Sequence, residues 1–110
     1  MRAILINPFL KTITEVDCSD DLNSMYRLLS APPSEEVHTF NIACLFKNRD
    51  TVYVDEEGTF KTKLYGFSFK SKSIFVGNGL ILGANSRGES VDARSLLIEI
   101  QNEVTFHGSL

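Results

Sequence analysis

The chain has 110 residues, of which 43% are hydrophobic and 23% are charged. This balance is typical of a globular protein and excludes a disordered chain, and the length fits one domain over residues 1–110. The net charge of −3 excludes a general electrostatic attraction to nucleic acid or to an anionic membrane.

The N-terminal segment contains the apolar run "AILI", which Asn7 and Pro8 end. This run is much too short for a signal peptide or for a membrane span. We therefore expect a cytoplasmic protein without membrane association, in which Cys18 and Cys44 stay reduced.

The first third of the chain predicts a hairpin followed by a helix. Residues 2–6 and 12–16 have the pattern of two strands joined by a turn. Ser19 stands where the N-cap of a helix is expected, with apolar residues recurring every three or four positions after it. The predicted apolar face consists of Leu22, Met25, Tyr26 and Leu29. The sequence "SAPP" from Ser30 ends this helix.

The middle of the chain predicts a meander of strands. Residues 37–46 alternate with a period of two, and the more apolar set is expected to face the core. This set is His38, Phe40, Ile42, Cys44 and Phe46. Further short strands are predicted in "TVYV", "TFKTKLYGFSF" and "SIFVGNGLILG".

A second helix is predicted near the C-terminus, with Ser90 as its cap. Its apolar positions are Ala93, Leu96, Leu97 and Ile100. The same segment also fits a strand through "SLLIEI". Together the elements predict an α+β domain, with a mostly antiparallel sheet of about five to seven strands and one or two helices packed on one face.

An acidic stretch, Asp55, Glu56 and Glu57, precedes Gly58 between two predicted strands. We interpret these four residues as a structural turn of a hairpin, in which Gly58 supplies a positive φ. A site for catalysis, a metal or another ligand would need carboxylates that share one pocket or that surround a cation. Such a ligand-sequestering site is the alternative interpretation.

Lysines and aromatic residues alternate after this turn, in two lysine pairs spaced i, i+2. The candidates for contact with nucleic acid or a partner are Lys61, Lys63, Lys70, Lys72, Tyr65 and Phe67. On a strand, the ammonium groups would follow phosphates while the aromatic rings stack on bases. The same alternation is typical of a half-buried edge strand protected by lysines, and the acidic composition favours this second interpretation.

The glycines of "VGNGLILG" are not followed by the Lys-Ser or Lys-Thr and the helix of a phosphate-binding loop. They predict a bulge or a tight bend inside a core strand, at Gly77 and Gly79. The sequence also contains no nucleophile elbow, and its two cysteines and two histidines lack the spacing of metal ligands. We therefore assign no catalytic residue, no metal and no cofactor.

Three short motifs resemble a family of small uncharacterised bacteriophage and prophage proteins, a domain of unknown function. The matching residues are Asn7, Pro8, Glu56, Glu57, Gly58, Val76 and Gly77, and the resemblance runs over most of residues 3–83. Where the family has a Leu-Pro-x-Asn segment, this chain has "KLYGFSF".

The resemblance implies an accessory protein in the cytoplasm of a bacterial host. It also implies a non-enzymatic module that binds an unknown host or phage protein. Nucleic-acid binding through the lysine and aromatic residues is an alternative function. A homodimer formed by pairing of sheet edges is a further expectation, because a small sheet leaves unpaired edges.

Overall fold

The computed structural model describes residues 1–70 and 73–108. Within this part of the chain there are nine strands, two α-helices and a short 3-10 helix. The strands are β1 (Arg2–Asn7), β2 (Thr12–Asp17), β3 (Phe40–Leu45), β4 (Asp50–Asp55), β5 (Gly66–Phe69), β6 (Phe75–Val76), β7 (Gly79–Ala84), β8 (Ser90–Val91) and β9 (Val104–His107). The helices are α1 (Leu22–Leu29), α2 (Leu97–Glu103) and the 3-10 helix Gly58–Phe60.

The strands form two antiparallel sheets. The main sheet has the order β2-β1-β7-β4-β3, and β8 pairs with the end of β7. The second sheet has the order β6-β5-β9. The predicted N-terminal hairpin is confirmed, because β1 and β2 pair along their whole length.

The main sheet is buried on both faces. Along β7, Leu80 and Leu82 belong to one apolar cluster and Ile81 to another, as expected when successive side chains point to opposite faces. Helix α1 packs on the first face through Met25 and Leu29. The second sheet and α2 cover the other face. The predicted α+β class is confirmed. The prediction that the helices pack on one face is wrong, because α1 and α2 lie on opposite faces of the main sheet.

Helix α1 begins later than its predicted cap. Asp21, instead of Ser19, is the N-cap, and its Oδ1 accepts a hydrogen bond from the Ser24 backbone N–H at 2.7 Å. Leu22 was predicted on the apolar face but is 63% exposed. The helix ends at Leu29, directly before the predicted stop.

Helix α2 confirms the helical alternative but not the cap at Ser90, which lies in β8. The buried carboxylate of Asp50 accepts hydrogen bonds from the backbone N–H groups of Arg94 and Ser95. These bonds tie the segment before the helix to β4. The helix therefore starts only at Leu97.

Strand β3 departs from the predicted alternation because it contains a bulge. Its register with β4 shifts between Ile42 and Cys44, so Ile42 pairs with Tyr53 and Cys44 pairs with Val52 on the opposite face. His38 and Ile42 are exposed, so the prediction that they face the core is wrong. One inserted residue moves every later side chain of a strand to the other face.

Candidate interaction surface

The acidic stretch is a turn, but it does not join two paired strands. Strand β4 pairs with β3 and β7, and the chain then leaves the main sheet through the 3-10 helix. Asp55 is buried, and its carboxylate accepts the Glu57 backbone N–H at 2.9 Å. Glu56 and Glu57 are exposed. Asp55 and Glu56 both line one shallow surface groove, but the three acidic residues do not form a group that could hold a metal ion.

Gly58 is required for a different reason from the predicted one. It is not among the glycines with a positive φ, so the expected left-handed turn is wrong. A Cβ at this position would lie 2.6 Å from the backbone oxygen of Val76. Gly58 therefore lets the 3-10 helix approach β6 closely.

The titratable side chains that the structure describes do not form a metal site. Among residues 1–70 and 73–108, no group of three or more His, Cys, Asp or Glu residues could hold a metal ion. Cys18 and Cys44 pack against different apolar clusters, on opposite faces of the main sheet.

The lysines do not share the face of one strand. Lys61 and Lys63 lie in an irregular segment before β5, and Lys70 follows that strand in a turn with φ of 47°. Lys70 pairs with Glu103 at 3.5 Å. Lys72 lies outside the described residues. The prediction of two lysine pairs on a strand face is therefore wrong for Lys61 and Lys63.

The two aromatic candidates, Tyr65 and Phe67, each pack against another aromatic ring of the protein. Phe67 is fully buried and packs edge-on against Phe69, with ring centroids 5.6 Å apart. Tyr65 is half-buried and contacts Phe9, with centroids 5.3 Å apart. Phe67 cannot stack on a base without opening the core.

The Glu35 side chain links the segment between α1 and β3 to the segment before β5 through hydrogen bonds. Its carboxylate accepts the backbone N–H of Thr62 at 2.8 Å and that of Lys63 at 3.4 Å. The hydrogen bond from the Thr62 backbone, followed by that from Lys63 and by the nearby charge of Lys61, lowers the pKa of Glu35. Lys61 itself donates to the backbone oxygen of Glu36 at 2.8 Å and lies 3.7 Å from the Asp55 carboxylate.

The stability that the Glu35 hydrogen bonds contribute should depend on pH. The folded-state pKa of Glu35 lies below the ordinary value of 4.5, so the ionised side chain stabilises the fold above that value. The stabilisation is lost as pH falls through the folded-state pKa. We expect Glu35→Gln to unfold at lower urea concentration than wild type at pH 7, and the difference to shrink steadily below about pH 4.5.

Urea unfolding at several pH values measures this difference. Glu36→Gln is the control, because the Lys61 contact of Glu36 uses the backbone carbonyl, which the substitution keeps. A difference between wild type and Glu35→Gln that stays constant from pH 7 to pH 3 would contradict the assignment.

The bend at the glycines is confirmed at Gly77, although it lies between β6 and β7 and not inside a strand. Gly77 has φ of +90°, which L side chains rarely adopt. The next residue, Asn78, is buried and donates through Nδ2 to the backbone oxygens of Leu29 and Ala31, each at 3.0 Å. The bend thus positions the anchor for the end of α1.

A serine and a histidine meet on the second sheet, a contact that the sequence does not reveal because the two residues are 39 positions apart. Ser68 Oγ lies 2.8 Å from His107 Nε2. Ser68 is only 1% exposed, and no carboxylate of the described residues hydrogen-bonds the imidazole. A nucleophile requires an accessible hydroxyl, so this pair gives no argument for catalysis.

Strand β3 is the feature that differs most from an ordinary protein surface. It forms one edge of the main sheet and contains no charged residue. Strand β2, at the opposite edge, carries Glu15 and Asp17. Natural edge strands usually carry charges, a proline or a bulge, and these features prevent another strand from pairing with them. Of the three features, β3 has only the bulge.

The bulge places two exposed aliphatic side chains on one face. Ile42 and Leu45 are opposite Tyr53 and Thr51, which are two residues apart on β4 and therefore point the same way. In a regular strand, residues three apart would point to opposite faces. Ile42 is 54% exposed and Leu45 is 68% exposed.

A shallow groove continues the apolar surface toward β6. Ile42 lines it together with Gly58, Thr59 and Ile74, and Ile74 is 45% exposed. We define the β3 edge surface as the outer edge of β3 with Ile42, Leu45 and Ile74. The sequence indicates this surface in part, because no Asp, Glu, Lys or Arg occurs between Glu36 and Lys47. It does not show which side chains of this stretch are exposed.

Among the described residues, no helix is long and apolar enough to cross a membrane. Comparisons of this chain with protein-family models, with curated protein sequences and with solved structures find no match.

Proposed function

We propose that this chain is a non-enzymatic accessory protein of phage or prophage type. In this proposal, its β3 edge surface binds a host-cell protein in the bacterial cytoplasm. The observation that carries the proposal is an uncharged edge strand with two large aliphatic side chains exposed on the same face, Ile42 and Leu45.

An extended segment of the partner is the ligand that suits this surface best. Added along β3, it would receive main-chain hydrogen bonds from the sheet edge. Its side chains would cover Ile42 and Leu45 and remove their apolar area from water. Such contacts contribute roughly 25 cal/mol per Å² of buried apolar surface.

Nucleic-acid binding receives less support from the arrangement. Lys61 is engaged by Asp55 and by the Glu36 carbonyl, and Lys70 is paired with Glu103. The core position of Phe67 removes one of the predicted stacking rings.

The test compares partner capture by two lysine variants that are matched in chemistry. Immobilised wild-type protein and the double variant Ile42→Lys, Leu45→Lys are incubated with bacterial lysate, and captured proteins are quantified by mass spectrometry. We expect the variant to lose at least about tenfold of a specifically captured protein, because each lysine places a charge against the bound strand.

The control is Leu96→Lys with Ile98→Lys, at the N-cap and in the first turn of α2, where the two side chains are similarly exposed, at 60% and 59%. It should capture as much partner as wild type. Equal capture by all three proteins, or no specific capture by wild type, would reject the proposal.

A further inference from the structure

The two ends of β3 carry opposite charges. At its beginning, the Thr39 carbonyl accepts the Glu56 backbone N–H at 3.1 Å, and the Thr39 hydroxyl lies 3.5 Å from Glu57 Oε1. At its end, Lys47 and Arg49 lie exposed in the turn that leads to β4. The edge therefore begins beside two carboxylates and ends beside two cations.

These four charges are available to a partner. None of them forms an ion pair with another described residue. Glu99 and Glu103 line a pocket with Lys47, but Glu99 accepts the Leu96 backbone N–H and Glu103 pairs with Lys70.

The charges also cannot neutralise one another within one chain. A six-residue strand spans about 20 Å, whereas the screening length at physiological ionic strength is about 8 Å. Each end therefore presents its own sign to an approaching molecule.

We infer that β3 pairs with β3 of a second copy of this chain, in an antiparallel and two-fold symmetric dimer. This inference rests on the proposed function, because it names an occupant of the same β3 edge surface. In antiparallel pairing, Glu56 and Glu57 of one copy lie beside Lys47 and Arg49 of the other. The symmetry repeats this favourable contact at both ends.

The apolar side chains agree with the same arrangement. A two-fold axis perpendicular to the sheet keeps the faces of the two copies on the same side. Ile42 of one copy then lies near Leu45 of the other, and the reverse contact follows from symmetry. Aliphatic side chains of neighbouring strands stabilise a sheet in this way, so these exposed residues become partly buried.

Parallel pairing lacks these advantages. It places the acidic ends of the two copies together and the basic ends together, and like charges side by side oppose association. The charge pattern therefore selects the direction of pairing. In this arrangement a host protein reaches β3 only by displacing the second copy.

The experiment exchanges the charges at each end of β3. The first variant is Glu56→Lys with Glu57→Lys, and the second is Lys47→Glu with Arg49→Glu. Sedimentation velocity is measured over a concentration series for wild type, for each variant and for their equimolar mixture. Circular dichroism verifies that both variants are folded.

We expect the mass of wild type to rise with concentration toward twice 12.3 kDa. Each variant alone should dissociate at least about tenfold more readily, because four attractive contacts become repulsive. The mixture should restore dimers, since basic ends of one variant then meet acidic ends of the other. The control is Asp17→Lys with Asp20→Lys, which changes the net charge as much as Glu56→Lys with Glu57→Lys does but at other positions. It should dimerise like wild type.

Wild type that stays monomeric at its highest soluble concentration would overturn the inference. Variants that dimerise alone as strongly as wild type, or a mixture that stays monomeric, would do the same. If wild type is monomeric and the variant with Ile42 and Leu45 replaced by lysine loses host-protein capture, the proposed function holds and only the dimer is rejected. Unchanged capture in a protein that dimerises rejects the proposed function alone.

Discussion

Replacing Asp50 by alanine is expected to lower the free energy of unfolding by about 4 kcal/mol. Asp50 is fully buried at the start of β4. Its two carboxylate oxygens accept the Arg94 N–H at 2.8 and 3.1 Å, and one of them accepts the Ser95 N–H at 2.7 Å. Alanine leaves these two backbone donors without a partner, and unsatisfied buried donors are costly because water cannot replace the lost acceptor.

Urea unfolding of Asp50→Ala and Asp92→Ala measures the effect of burial. Asp92 also accepts a backbone N–H, that of Arg2 at 2.8 Å, but at an exposed position. Water can take over that role, so we expect Asp92→Ala to cost about 1 kcal/mol or less. Similar losses for the two variants would show that the Asp50 contacts do not stabilise the fold as we describe.

Replacing Gly79 by alanine is expected to destabilise the protein by about 3 kcal/mol. An added Cβ would lie 2.4 Å from Cζ of Phe67, whose side chain is fully buried. Gly79 is paired with Ile6 on one side and with Val54 on the other. The strand is held from both sides, so the ring or its surroundings must shift.

A double-mutant cycle with Phe67→Leu tests whether this contact is the cause. Leucine removes the outer atoms of the ring, so Gly79→Ala should cost much less in the Phe67→Leu background than in wild type. We expect a favourable coupling of about 1–2 kcal/mol, in the range observed for residues in contact. Purely additive effects in urea unfolding would exclude the steric explanation.

The elements that the sequence predicted well depend on neighbours along the chain. The hairpin of β1 and β2 follows from two short patterns separated by a turn, and α1 from apolar residues at helical spacing. Both contain their own information, because a turn of a helix and a two-strand hairpin are built from nearby residues. Even the shift of the helix cap from Ser19 to Asp21 is a local correction.

The candidate site was predictable only in part. The absence of charge in β3 was visible, but its exposed face was assigned by a strict alternation. The bulge between Ile42 and Cys44 interrupts this alternation. The residue types in this stretch do not predict a bulge. The lysine and aromatic candidates also do not form one surface, because their positions depend on tertiary contacts. Phe67 lies in the core, whereas Lys61 contacts Asp55 and the Glu36 carbonyl.

The sequence by itself determined the α+β class, the first hairpin, α1 and the bend at Gly77. Each of these is set by local backbone preference and by the spacing of apolar residues. Only the tertiary structure decided that the acidic turn leads from one sheet to another, that Gly58 and Gly79 are needed for close packing, and that β3 is an edge. Those features depend on which strands become neighbours, and pairing between residues far apart is determined by the packing of the whole chain.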